Sequence, residues 1–250
     1  MNRTEITIGI VRYQFPPHGG KHFGFNLHVL LDEETKSALL IDTGYEEHAA
    51  LVLDDLRATG YELKAVVISH FHPDHILGLQ ALPAVEVIGS PRYEETLRQY
   101  GLRGEWKMFV PTQISNEDSE IVFGRFRLRF LFAPGHAPCS QYTLIDDAFV
   151  HVADNVMTSN DCQDILPWAE FDAISDHITS LEILREFKGC TFLLSHGCEL
   201  EDEQVQLKAI DNRIRYFRNA LEGGGVFTYE QATCDCTCQF LHQEWLIRKE

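Results

Sequence analysis

Apolar runs that end abruptly in histidine or aspartate constrain this chain more than any other feature. In "VVISHFHPDHILGL", Val66 to Leu79, a strand-like run is followed at once by His70, His72, Asp74 and His75. The ending recurs: His136 follows "FLFAPG", Asp154 follows "FVHVA" and His196 follows "TFLLS". Charged and imidazole groups resist burial unless partnered. Four strand ends that deliver them therefore imply a rigid sheet edge gathering polar groups for chemistry.

Imidazole and carboxylate are the donors preferred by borderline first-row dications. His70 and His72 lie two residues apart, so in an extended segment they point to the same side. Pro73 disfavours a continuing strand and suits a helix start, which places Asp74 and His75 around the corner. One short peptide thus addresses two neighbouring points, the requirement of a two-metal centre with ions about 3.5–4 Å apart.

The surrounding pattern is layered α/β. "EITIGIV", "FGFNLHVLLD" and "SALLIDTG" read as strands, and Ala49, Val52, Leu53 and Leu56 then recur at helical spacing up to a stop at Gly60. "KAVVIS" is a short apolar run suited to a strand covered on both faces, and "HILGLQAL" reads as a helix. "RFRLRFLF" sets Phe126, Leu128, Phe130 and Phe132 against a solvated stripe of Arg125, Arg127 and Arg129. "QYTLID", "AFVHVAD" and "CTFLLSHG" read as further strands, with helices expected around Ile174 to Leu184 and from about Glu201 to Leu221. No low-complexity linker intervenes, so residues 1–250 are expected to form one domain, with a helical extension over about 199–250.

Charge and targeting signals narrow the partners. With 21 Lys and Arg against 38 Asp and Glu, the net charge of −17 argues against nucleic acid or an anionic membrane. The opening "MNRTEITIGIVRYQF" lacks a signal peptide's basic flank and apolar block, and no apolar run reaches transmembrane length. The seven cysteines cannot all pair, and a reducing, cytoplasmic setting is expected. The expected partner is a small-molecule substrate. The long C-terminal helix is available either for a homodimer interface or to cover a sheet.

"HFHPDH" resembles the HxHxDH signature of the metallo-β-lactamase superfamily. "LLIDTG", "PGHAPCS", "HVADN" and "LLSHG" resemble its other motifs, in the right order. The resemblance implies a four-layer αββα sandwich with two divalent ions at one edge. Zinc is the expected metal, and iron or manganese is compatible with the same donors. It further implies that His70, His72 and His136 hold the first ion, that Asp74, His75 and His196 hold the second, and that Asp154 bridges them. Asp42 would orient ligands by hydrogen bonds. The chemistry implied is attack by a metal-bridging hydroxide, with Asp74 orienting the nucleophile and passing its proton to the leaving group.

Substrate depends on loops rather than fold. No tyrosine follows the bridging aspartate in "DNVMTSND", so a lactonase mechanism would need another acid. Lys208, Arg213, Arg215 and Arg218 are the basic residues offered on the long helix. The expectation is hydrolysis of a small carboxylic ester, lactone or thioester. The alternatives are an iron-containing oxidoreductase or oxygenase on the same fold, or a phosphodiesterase. Trp106, Trp168 and Phe171 lie in aromatic-rich connections that are candidates to line the substrate pocket, as are Cys139 beside His136 and His22 on the "HGGKH" loop. Cys139 and Cys198 either face that pocket or are packed free thiols. "TCDCTC" lacks the CxxC spacing of common metal sites.

Overall fold

The computed structural model describes residues 1–100, 106–118 and 120–249. The first half builds one sheet, starting with β1 (Asn2–Thr7), β2 (Ile10–Gln14), β3 (Asn26–Asp32) and β4 (Ser37–Ile41). Helix α1 (Glu46–Ala58) then leads to β5 (Glu62–Val67), the short α2 (Pro73–Ile76), β6 (Glu86–Gly89), α3 (Tyr93–Gln99) and β7 (Gln113–Ile114). These seven strands lie side by side in chain order. The first four pair antiparallel and the last three join in parallel.

The second sheet contains β8 (Glu120–Phe123), β9 (Phe126–Phe132), β10 (Gln141–Ile145) and β11 (Phe149–His151). Helix α4 (Ile174–Leu184) precedes its last strand, β12 (Thr191–Leu193), and α5 (Glu203–Glu222) and α6 (Tyr229–Ala232) follow it. Its order is β12-β11-β10-β9-β8, with only β11 and β12 parallel.

Three apolar layers hold these parts together. Ile10, Leu30, Leu39, Ile41 and Val67 of the first sheet pack on Phe126, Leu128, Phe130 and Leu193 of the second. Val29, Leu40 and Val66 point the other way, onto Val52, Leu53 and Leu56 of α1. Tyr142, Leu144 and Val150 meet Leu181 of α4 and Ile210, Ile214 and Phe217 of α5. The result is the αββα sandwich. The alternation of β9 works as its sequence dictates: Phe126, Leu128 and Phe130 are buried while Arg127 and Arg129 face solvent.

Two local expectations are corrected. "EITIGIV" is not one strand but a hairpin, because Gly9 takes a left-handed φ of 76° and turns the chain between Thr7 and Ile10. "HILGLQAL" is not a regular helix: α2 stops at Ile76 and a 3-10 segment continues to Ala81. Gly78 lies against the neighbouring loop, its N–H donating to Gly44 O at 2.8 Å. A Cβ there would sit 2.4 Å from Thr43 O. This contact draws the segment out of α-helical register and onto the loop that follows β4.

The reading of Cys198 as a free thiol is also corrected. Cys198 is joined to Cys162 by a disulfide with a Cα–Cα distance of 5.4 Å, which ties the loop after β11 to the loop after β12. Among the described residues, no helix is long and apolar enough to cross a membrane.

The disulfide spans a sequence separation of 36. In the chain-entropy account such a loop contributes about 3–4 kcal/mol. Cys162→Ser should therefore lower the melting temperature by roughly 10 °C, and an unchanged melting temperature would show that the link contributes nothing.

His177 on α4 is fully buried against Phe217. Burial lowers its pKa from 6.5 to about 3. Above 6.5 both the folded and the unfolded imidazole are neutral. Below it, only the unfolded chain takes the proton, so stability falls with pH down to about 3. His177→Leu should remove up to about 1.4 kcal/mol of that loss per pH unit. Urea midpoints of both proteins at pH 7 and pH 5 check this, and identical acid losses would contradict it.

Candidate metal centre

The polar groups converge where the strands of both sheets end. β5 runs out at Val67 and is followed by Ser69 and His70. His72 caps α2, whose first turn carries Asp74 and His75. β9 leads to His136, β11 to Asp154 and β12 to His196. All are buried except Asp74, whose side chain is 21% exposed.

Donor atoms of His70, His72 and His136 lie within 4.8 Å of one another. The same holds for His70, His75 and Asp154, and for Asp74, His75 and His196. Asp154 stands at the middle. Its Oδ2 is 3.3 Å from His196 Nε2, 3.4 Å from His75 Nε2, 3.5 Å from His136 Nε2 and 3.9 Å from His70 Nε2.

Hydrogen bonds on the far side of the rings fix which nitrogen faces inward. His196 Nδ1 donates to Gly24 O at 2.8 Å and His136 Nδ1 donates to Trp168 O at 3.2 Å, since a carbonyl can only accept. His75 Nδ1 donates to Asp42 Oδ2 at 2.9 Å. In its neutral form each of these rings turns an unprotonated Nε2 toward Asp154. Burial lowers the His75 pKa, but Asp154 and Asp42 on either side outweigh it and raise it well above its ordinary value.

Asp42 is held for its task. It sits in a left-handed conformation, φ 59°, directly after β4, and accepts from Ser69 N and Ser69 Oγ, both at 2.7 Å. Burial pushes the Asp42 carboxyl up, but His75 and His151 outweigh it and the pKa ends below its ordinary value. Asp154 behaves likewise, drawn well below the carboxylate range by His196 and His75 against the opposing effect of burial. Burial and neighbouring imidazoles hold His70 and His72 well below their usual value.

The residues fit a pair of metal ions on structural grounds. His136 Nε2 and His72 Nδ1 approach to 3.1 Å, where a proton on His72 or a metal ion can satisfy the pair. The Nε2 atoms of His70, His75 and His196, and Asp154 Oδ1, are buried without a hydrogen-bond partner. Buried lone pairs aimed at one another are costly, and a cation among them removes the cost.

A cavity of about 290 Å³ opens on this cluster. Four of the candidate ligands, His72, Asp74, His136 and His196, reach it together with Asp154, and Lys21, Phe23, Tyr100, Met157, Trp168 and Trp245 form the remaining walls. Of the residues expected to line the pocket, Trp168 does so. Phe171 lines a neighbouring cavity of about 390 Å³ that shares Trp168 with the first.

Cys139 is fully buried behind the site, accepting from Phe71 N and Thr96 Oγ1, with burial pushing its thiol up to about 11. It is a packed thiol rather than a pocket residue. His22 is exposed, meets His242 at 3.4 Å behind the Phe23 and Trp245 walls, and does not itself line the cavity. The side chain of Trp106 lies outside the described residues.

None of Lys208, Arg213, Arg215 and Arg218 lines the cavity. Arg213 is buried against Asp164, at 2.7 Å. Lys21, Phe23, Tyr100, Met157 and Trp245 carry no local sequence signal. They reach the cavity only because four distant segments fold together over it.

Comparison with known proteins agrees with this geometry. Over 114 residues the chain is 34% identical to a hydroxyacylglutathione hydrolase of Gloeobacter violaceus, covering 43% of this chain and 39% of that protein. Over 137 residues it is 31% identical to the mitochondrial persulfide dioxygenase ETHE1 of Bos taurus, covering 52% and 47%. These matches span less than half the length of the curated relatives. A metallo-beta-lactamase from Pontibacter korlensis superposes with a TM-score of 0.66 at 18% identity, covering 84% of this chain and 99% of that one. The family model of the metallo-beta-lactamase superfamily matches residues 25–186, from the end of the first loop through the end of α4. The chain therefore belongs to the metallo-β-lactamase superfamily.

Proposed function

We propose that the chain is a dinuclear metal-dependent hydrolase acting on a small carboxylic ester, lactone or thioester. The observation that carries this reading is the convergence of six candidate ligands around the buried Asp154 at the floor of a cavity. Its similarity to hydroxyacylglutathione hydrolases supports the acyl substrate class.

In this reading His70, His72 and His136 hold one ion, Asp74, His75 and His196 hold the other, and Asp154 lies between them. Such ions supply Lewis acidity that makes water acidic near neutral pH and polarises an acyl oxygen. The remaining work falls to the chain. Asp42 keeps the His75 ring turned, Gly24 O does the same for His196 and Trp168 O for His136.

Asp74 is the most exposed of the candidate ligands and faces the cavity, where its carboxylate can take a proton from water and return it to a leaving group. Tyr100, whose ring lies 4.9 Å from that of His72, is the one phenol lining the cavity among the described residues. Burial, with Asp74, Glu170 and Asp154 nearby, pushes it up to about 12, so it keeps its proton at neutral pH. It stands as the acid that the segment after Asp154 lacks.

A second reading, iron-dependent oxidation, is supported by the similarity to persulfide dioxygenase ETHE1 and by a donor set that suits iron as well as zinc. Metal quantification with an absorption spectrum separates the two: two zinc ions and no colour exclude the iron reading.

Two variants test the hydrolase. Asp154→Ala and His72→Ala should each lose metal and lower thioester hydrolysis to background, measured by elemental analysis beside a kinetic assay. Full metal content with full turnover in either variant would overturn the assignment. Asp42→Asn keeps the shape of the side chain but weakens its hold on His75, and should cost about 10–100-fold in metal affinity. Chelator competition reads this, and an unchanged affinity would remove Asp42 from the account.

A further inference from the structure

The cavity walls point beyond the reaction class. Lys21 is the only lysine or arginine lining the cavity among the described residues. Its ammonium lies 5.0 Å from the centre of the Phe23 ring, and that ring meets His196 edge-on at 4.8 Å. The positive charge and the candidate ligand His196 therefore both meet the Phe23 ring.

Lys21, like Lys188 and Lys208, has no ion pair with a carboxylate among the described residues, and it is the one of these that lines the cavity. In a chain of net charge −17 an unpaired cation at the mouth of a cavity is an open position for an anion.

The walls specify the rest of the ligand. Tyr100 and Trp168 stand against His72 at 4.9 and 6.0 Å on one side. Phe23 and Trp245, 5.7 Å apart and edge-on, form the other side. Met157, a deformable apolar side chain, also lines the cavity. Flat walls of this kind take a flat apolar body, and at about 290 Å³ the cavity is at the small end for a ligand site.

We propose that this site selects a monoanionic acyl substrate, with an aromatic or similarly flat body between the two aromatic walls and a carboxylate on Lys21. The inference rests on the hydrolase reading above and names the substrate class that this reading leaves open. Lys21 acts on specificity, through attraction at a partly solvated site, so its effect is graded and salt-dependent.

A pair of thioesters differing in one group tests it: the S-phenylacetyl thioesters of 3-mercaptopropionate and of 3-mercaptopropanol. The wild-type protein should favour the charged member in kcat/KM at low salt. The ratio of charged to uncharged kcat/KM should fall about fivefold in Lys21→Met. It should fall further in Lys21→Glu, recover in Lys21→Arg, and shrink with added salt. A ratio that neither Met nor Glu moves would overturn the proposal.

Failure of the hydrolase reading looks different, because then neither thioester is cleaved. In that event quenching of tryptophan fluorescence by 4-phenylbutyrate and by 4-phenylbutanol decides the binding claim. Tighter binding of the carboxylate that Lys21→Met abolishes would support it. Equal affinities, or a preference that survives Lys21→Met, would overturn it.

Discussion

The Asp154 carboxylate, 4% exposed and ringed by four imidazole nitrogens, is the constraint on which the site depends. Burying that many polar groups costs several kcal/mol for each one left unpartnered. Protons settle the cluster only in part: one on His75 is favoured by Asp154 and Asp42 against the cost of burial, but every added proton on His70 or His72 repels its neighbours. Dications settle it by accepting several lone pairs at once. Metal binding in this account is therefore coupled to the stability of the loops that carry the ligands.

Those loops are held by the sheets and by one another. Val67 O accepts from Asp42 N, and Asp42 in turn grips Ser69 and His75, so β4, β5 and α2 are locked at a single carboxylate. Across the site Thr158 N donates to His196 O, and the Cys162–Cys198 disulfide closes the same two loops. The C-terminal segment completes the arrangement: Leu241 bridges to Ile165, and Trp245 reaches the cavity beside Phe23. A site built this way is stiff at its floor and assembled at its rim from segments far apart in sequence.

The same division governs what the sequence could disclose. The floor was legible because its ligands follow buried strands, and packing alone seldom places His or Asp at the end of a buried strand. The layers were legible because β9 alternates and α1 repeats at helical spacing. The hairpin at Gly9 was hidden because alternation continues through the turn. The break in "HILGLQAL" was hidden because it comes from a close approach between Gly78 and Thr43, a tertiary contact without a local mark. The disulfide partner of Cys198 could not be chosen from seven cysteines, since connectivity depends on the fold. The rim residues Lys21, Tyr100, Met157 and Trp245 were invisible for the same reason.

The central claim is that two metal ions share Asp154. Anomalous diffraction from crystals of the purified protein, recorded on both sides of the zinc and iron absorption edges, tests it most directly. The account predicts two peaks about 3.5–4 Å apart, one beside His70, His72 and His136, the other beside Asp74, His75 and His196, with Asp154 between them. A single peak, or two peaks that do not share Asp154, would contradict it.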